Sequence, residues 1–180
     1  MQLMSATDPQ AQFEEIVMPH LDAAYNLARW LAGNDHDAED ISQEACLRAF
    51  RFLGGFRGGN SRSWLLTIVR NTAYTWLKQN RPQAVVSLGD EELTQIEDPA
   101  ATTSHLAALH NADRDVLRAA LESLPAEFRE ALVLRELEGM SYKEIADIAS
   151  VPIGTVMSRL ARARKRLQIY LTNTTARNYL

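Results

Sequence analysis

Basic side chains supply the strongest chemical signal in this chain, because they fall in two separate blocks. Residues 51–82 carry six Lys or Arg and no Asp or Glu. Residues 128–180 carry nine basic and five acidic side chains, whereas residues 1–50 and 83–127 each carry two basic and nine acidic ones. Attraction to phosphate is local and is screened beyond about 8–10 Å. Two basic blocks inside a chain of net charge −4 therefore fit two nucleic-acid contacts, and fit equally two solvated helix faces. Catalytic chemistry has no comparable support. His20, His36, His105 and His110 show no metal-ligand spacing, no glycine loop has the phosphate-cradling form, and Cys46 has no nucleophile signature around it. No catalytic residue, metal site or cofactor is expected.

The elements that must position these cations read as helices. Period-two alternation is nearly absent and helical periodicity dominates, which predicts an all-α fold. One helix is expected over residues 10–32, with Phe13, Ile16, Val17, Leu21, Ala24, Tyr25, Ala28 and Leu31 along one stripe, stopped by Gly33-Asn34. Asp35 or Asp37 is expected to cap the next helix, which turns Ala38, Ile41, Ala45 and Leu47–Ala49 inward. Residues 54–61 form a loop with four of the eight glycines. A third helix runs from about Ser63 to Gln79 and packs through Trp64, Leu65, Ile68, Val69, Thr72, Trp76 and Leu77 before Pro82. Residues 83–112 lose periodicity and gather Asp90, Glu91, Glu92, Glu97 and Asp98, the composition of an acidic flexible linker. Beyond it, Leu117, Leu121 and Leu124 share a face, and Pro125 opens a helix that runs through Leu137.

The sharpest local pattern lies near the C-terminal end. Ser141 and Glu144 have the spacing of a capping box. A short helix with Ile145, Ala146, Ile148 and Ala149 follows, and Pro152 forbids its continuation. The next helix buries Val156, Leu160, Ala163 and Leu167, and carries Arg159, Arg162, Arg164, Lys165 and Arg166 on its other faces. A small-residue helix, a tight turn and a basic helix make a helix-turn-helix.

Composition agrees with a globular protein: 180 residues, 46% hydrophobic and 23% charged. One cysteine excludes a disulfide framework. No signal peptide and no apolar run of membrane length is seen, so a cytoplasmic location without membrane insertion is expected.

Several stretches resemble a known family. Residues 124–146 (LPAEFREALVLRELEGMSYKEIA) and 151–164 (VPIGTVMSRLARAR) resemble region 4 of extracytoplasmic-function (ECF) sigma factors. Residues 37–50 (DAEDISQEACLRAF) resemble their region 2.2, and Phe56-Arg57-Gly58 with residues 63–71 (SWLLTIVRN) resembles regions 2.3 and 2.4. The resemblance implies two small helical domains, region 2 over 10–81 and region 4 over 113–170, joined by an acidic linker over 82–112. It implies an alternative sigma factor, acting in a stress or envelope response, that binds RNA polymerase core through the beta-prime and beta subunits and directs it to promoter DNA without catalysing a reaction. An anti-sigma factor is a further implied partner.

The resemblance also assigns residues. Asp37, Asp40, Gln43, Glu44 and Leu47 match the core-polymerase surface, and Asp40, Glu44 and Leu47 share one helix face. Phe56, Arg57, Asn60, Ser61, Arg62, Arg70, Asn71, Tyr74 and Lys78 match the minus-ten element's reader, with Phe56, Asn60 and Ser61 suited to holding an unstacked base. Thr155, Ser158, Arg159, Arg162 and Arg166 match the reader of the minus-thirty-five element. Met157 stands where many relatives carry a basic residue. A stand-alone helix-turn-helix regulator would account for residues 124–167 but not for the region 2 stretches.

Overall fold

The computed structural model describes residues 8–82 and 114–178. The expected linker lies almost wholly outside them. Among the described residues every element is helical and there is no strand. A cut at Asn80–Arg81 divides the chain into two compact units, with Asp147–Ser150 assigned to the first.

In the first unit α1 (Pro9–Ile16) is followed by a 3-10 turn (Met18–His20), then α2 (Leu21–Ala32), α3 (Asp35–Phe52), a second 3-10 turn (Leu53–Gly55) and α4 (Ser61–Asn80). The single helix expected over residues 10–32 is therefore two. Pro19 has no N–H to donate and its ring crowds the preceding turn, so the chain breaks at Val17 and tightens before α2 resumes. Gly33 ends α2 as expected, at φ 82°, and donates its N–H to the Arg29 carbonyl at 2.8 Å. The cap of α3 differs from the expectation. Asn34, not Asp35 or Asp37, lies outside the helix and accepts the Asp37 N–H at 2.9 Å.

Helices α2, α3 and α4 pack on one another. Leu27 and Leu31 of α2, Ile41 of α3, and Leu65, Leu66 and Leu77 of α4 are almost fully buried. The buried row of α3 is otherwise Ala38, Ala45 and Ala49, side chains small enough to let its neighbours approach closely. Leu47, expected to face inward, is 54% exposed. It lies on the side of α3 opposite the alanine row.

The remaining elements are α5 (Arg114–Glu122), α6 (Ala126–Leu132), a π-helical turn (Val133–Leu137), α7 (Tyr142–Ala149) and α8 (Ile153–Asn178). The helix expected through Leu137 changes character at Val133. The Glu138 N–H reaches five residues back to the Val133 carbonyl at 3.0 Å, and Gly139 at φ 65° ends the segment. The capping box forms as expected: the Ser141 N–H donates to Glu144 Oε2 at 2.8 Å, and the Glu144 N–H donates to Ser141 Oγ at 3.2 Å. Ser150 takes the left-handed conformation at φ 55°, Pro152 follows, and α8 begins at Ile153. Helix α8 packs on α6 and α5. Val156, Leu160, Ala163 and Leu167 are its buried row, as the spacing predicts.

Truncating this row should be costly. Leu160→Ala is expected to lower the unfolding free energy by about 2–5 kcal/mol, whereas Leu137→Ala, at an exposed position, should stay within about 0.5 kcal/mol of the parent. Urea unfolding of both variants checks the pair.

Candidate nucleic-acid interface

The outward row of α3 runs along Asp40, Gln43 and Leu47, all exposed, and continues to the exposed Phe50. Sequence reading missed Phe50. Its signal was the three-residue step from Leu47, which keeps it on the same face. Glu44 sits one step around the helix and is engaged locally: Arg48 Nε donates to its carboxylate at 2.7 Å, and that hydrogen bond holds the carboxyl below the usual range. Asp37 is half-buried within the helix-start hydrogen bonds to Asn34. The five expected residues therefore separate into an open row of three, an ion-paired glutamate and an aspartate bonded to the helix cap Asn34.

The glycine-rich loop is held at both ends. Gly58 at φ 86° and Gly59 at φ 99° take backbone conformations that a side chain would strain. Phe56 is half-buried and tilted against Trp64, with ring centroids 5.1 Å apart. Asn60 accepts the Ser63 N–H at 3.0 Å. That capping bond starts α4 at Ser61, two residues before the expected start. Ser61 Oγ is hydrogen-bonded to His20 Nε2 at 2.9 Å, which ties the loop's end to the start of α2. Burial, with Arg62 close by, pushes His20 below the ordinary histidine range. The three residues suited to holding an unstacked base lie within six positions, and each has a structural contact of its own.

Along α4, Asn71 and Lys78 are exposed and Arg70 is half-buried, while Arg57 is exposed in the loop before it. Tyr74 is drawn into the core at 8% exposure, and the Arg70 guanidinium lies 4.3 Å from its ring centroid. Tyr74 thus supports Arg70 from beneath rather than presenting its own ring to solvent. Trp64 and Trp76, expected within the apolar stripe, are only half-buried.

On α8 the five basic residues do not form one free surface. Arg159 Nη2 is ion-paired with Glu127 Oε2 at 3.1 Å, and its side chain is 14% exposed. Arg164 donates to Glu136 Oε1 at 2.9 Å. The Arg166 guanidinium lies 5.2 Å from the ring centroid of Phe128, a buried residue of α6. Thr155, Ser158 and Arg162 are half-exposed. Arg159, at the edge of the face expected opposite the buried row, is held against Glu127. The open side carries Ile153, Gly154, Met157, Lys165 and Gln168, of which the sequence reading singled out only Met157 and, as one cation among five, Lys165.

Among the described residues no three His, Cys, Asp or Glu side chains cluster as a metal site, and no helix is long and apolar enough to cross a membrane. Cys46 is half-buried, and burial pushes its thiol up.

Comparison with known proteins agrees with this layout. Residues 16–83 match Sigma-70 region 2, and residues 114–167 match Sigma-70, region 4. The chain is 38% identical over 173 residues to the ECF RNA polymerase sigma factor SigE of Mycolicibacterium smegmatis, covering 94% of this chain and 66% of that protein. It is 37% identical over 137 residues to the ECF RNA polymerase sigma-E factor of Escherichia coli K12, covering 73% of this chain and 72% of that one. It is similar in structure to the sigma factor RpoE of Bartonella quintana, solved in complex with the anti-sigma factor NepR, with TM-score 0.68 and 32% identity over 89% of this chain and 96% of that chain.

The Glu127–Arg159 pair should behave as a unit. Arg159→Ala and Glu127→Ala are each expected to lower the unfolding free energy by about 1–2 kcal/mol, and the double variant should cost little more than either single one. A double-mutant cycle by thermal unfolding measures the coupling.

Proposed function

The chain belongs to the ECF group of the sigma-70 family, and from that premise we propose that it is an alternative sigma factor, serving a stress or envelope response. In this reading it joins core RNA polymerase, selects promoters and helps open their DNA, and the polymerase alone performs catalysis. One observation carries the reading: both family regions lie in order on one chain, and the second contains a capped helix, a turn and a basic helix. A stand-alone regulator has no use for the first region.

The residue roles follow from placement. The open row Asp40, Gln43 and Leu47 offers two polar groups and an apolar one to a partner helix of the beta-prime subunit, with Glu44 and Asp37 at its edge. Arg57, Arg62, Arg70 and Lys78 face phosphates at the minus-ten element, and Phe56, Asn60 and Ser61 hold an unstacked base beside them. Asn71 adds a polar contact, and Tyr74 sets the height of Arg70. On α8, Ser158 and Arg162 reach base edges or phosphates of the minus-thirty-five element, with Thr155, Arg159 and Arg166 at the margin of that contact. Core polymerase, its beta subunit included, and promoter DNA are the partners, and an anti-sigma factor such as RpoE meets in NepR is a third. A protein with these partners works in the cytoplasm.

Transcription in vitro with purified core and a promoter library tests the whole reading. Promoter-specific transcripts that need the chain are expected, and none above core alone would overturn it. Asp40→Lys with Glu44→Lys should weaken core binding roughly tenfold or more while helix content, read by circular dichroism, stays unchanged. Arg162→Ala separates two modes of DNA contact. A base contact predicts a loss of about 1–3 kcal/mol at one promoter position, and a phosphate contact predicts a uniform loss with the salt slope reduced by about one. Duplex titrations at two salt concentrations distinguish these.

A further inference from the structure

The first two turns of α8 present an apolar strip on the helix the sigma-factor reading assigns to the major groove. Ile153, Met157 and Ala161 follow one another at four-residue steps, so they line one row. Ile153 is 46% and Met157 43% exposed, so two large apolar side chains adjoin on the open surface of one row. Gly154 lies beside the row. A Cβ placed there would meet nothing within 4 Å, and its φ is not in the left-handed region. The chain's own fold therefore has no need of glycine at this position, and glycine is a poor helix former. A missing side chain with empty space in front of it fits a surface that approaches from outside.

What approaches is indicated by the neighbours. Lys165 is exposed on the same side of α8, and Ser158 and Arg162 border the strip. An apolar row edged by cations at the start of a helix-turn-helix second helix matches the edge of a thymine, whose C5 methyl group projects into the major groove between two phosphate chains. We propose that Met157, with Ile153 one turn before it, forms an apolar seat for a thymine methyl of the minus-thirty-five element, and that Gly154 lets the DNA come close enough to fill it. This rests on the sigma-factor reading and adds to it the residue that chooses the base.

Deoxyuridine differs from thymidine only in lacking that methyl, so it isolates the contact. Holoenzyme assembled on the chain is titrated with minus-thirty-five duplexes in which each thymine in turn is replaced by deoxyuridine. Parent holoenzyme should lose about fourfold in affinity at one or two positions, the worth of one buried methyl group. Met157→Gln, close to methionine in length but polar, should bind the thymine and uracil duplexes equally there, and Met157→Leu should keep the preference. Gly154→Ala should be at least as resistant to heat as the parent yet bind every duplex less well. Equal binding of thymine and uracil by the parent at every position overturns the proposal, as does a preference that survives Met157→Gln, or a minus-thirty-five element with no thymine. A loss of core affinity in Met157→Gln would assign the strip to a protein partner instead. Promoter-independent binding by the parent itself would overturn the sigma-factor reading along with it.

Discussion

Burying one row of a helix decides what every other row can do, and this chain depends on that constraint twice. On α3 the row Ala38, Ile41, Ala45 and Ala49 is sealed against α2 and α4, which leaves Asp40, Gln43, Leu47 and Phe50 no choice but to face outward. On α8 the row Val156, Leu160, Ala163 and Leu167 is sealed, and Ile153, Gly154, Met157 and Lys165 come to the open side. A hundred degrees per residue links the two sides rigidly. Interior packing and the outward chemistry are thus a single specification, and neither row shifts without the other.

Charge is arranged under the same constraint. Arginines on the flank of α8 are neither wholly inside nor wholly outside, and the structure uses them to fasten the helix. Glu127 from α6 and Glu136 from the π-helical turn meet Arg159 and Arg164, and the ring of Phe128 receives Arg166. Each of these heads has a partner within its own helical region. A count of basic residues overstates the charge free to meet a polyanion, and the presentation of the first two turns of α8 depends on these clasps.

What was legible in the residues divides along physical lines. Rows of apolar side chains, the capping box, the glycine stop at Gly33 and the break at Pro152 depend on local geometry, and each appears where the spacing places it. The two-region architecture was legible because several independent stretches agreed. Misreadings occurred where a non-local partner or a competing local bond decided the outcome. Asn34 took the cap from two neighbouring aspartates, Pro19 split a stripe that periodicity alone would continue, and Tyr74 was drawn beneath Arg70. Arg159 is held by a glutamate thirty-two positions earlier, a partner that nothing in its own neighbourhood announces. On α8 the exposed Ile153 and Gly154 stand beside the face the spacing favoured, and no charge or repeat in the residues marks them.

The π-helical turn at Val133–Leu137 is where one residue more than an α-helix would hold has been accommodated. Its wider hydrogen-bond spacing closes the helix at Glu138, just before Gly139 turns the chain toward α7. Glu136 faces Arg164 from within that turn. The direction in which Glu136 meets Arg164 is therefore set by the backbone of that wider turn, and a regular α-helical turn in its place would aim the carboxylate elsewhere and loosen its hold on α8.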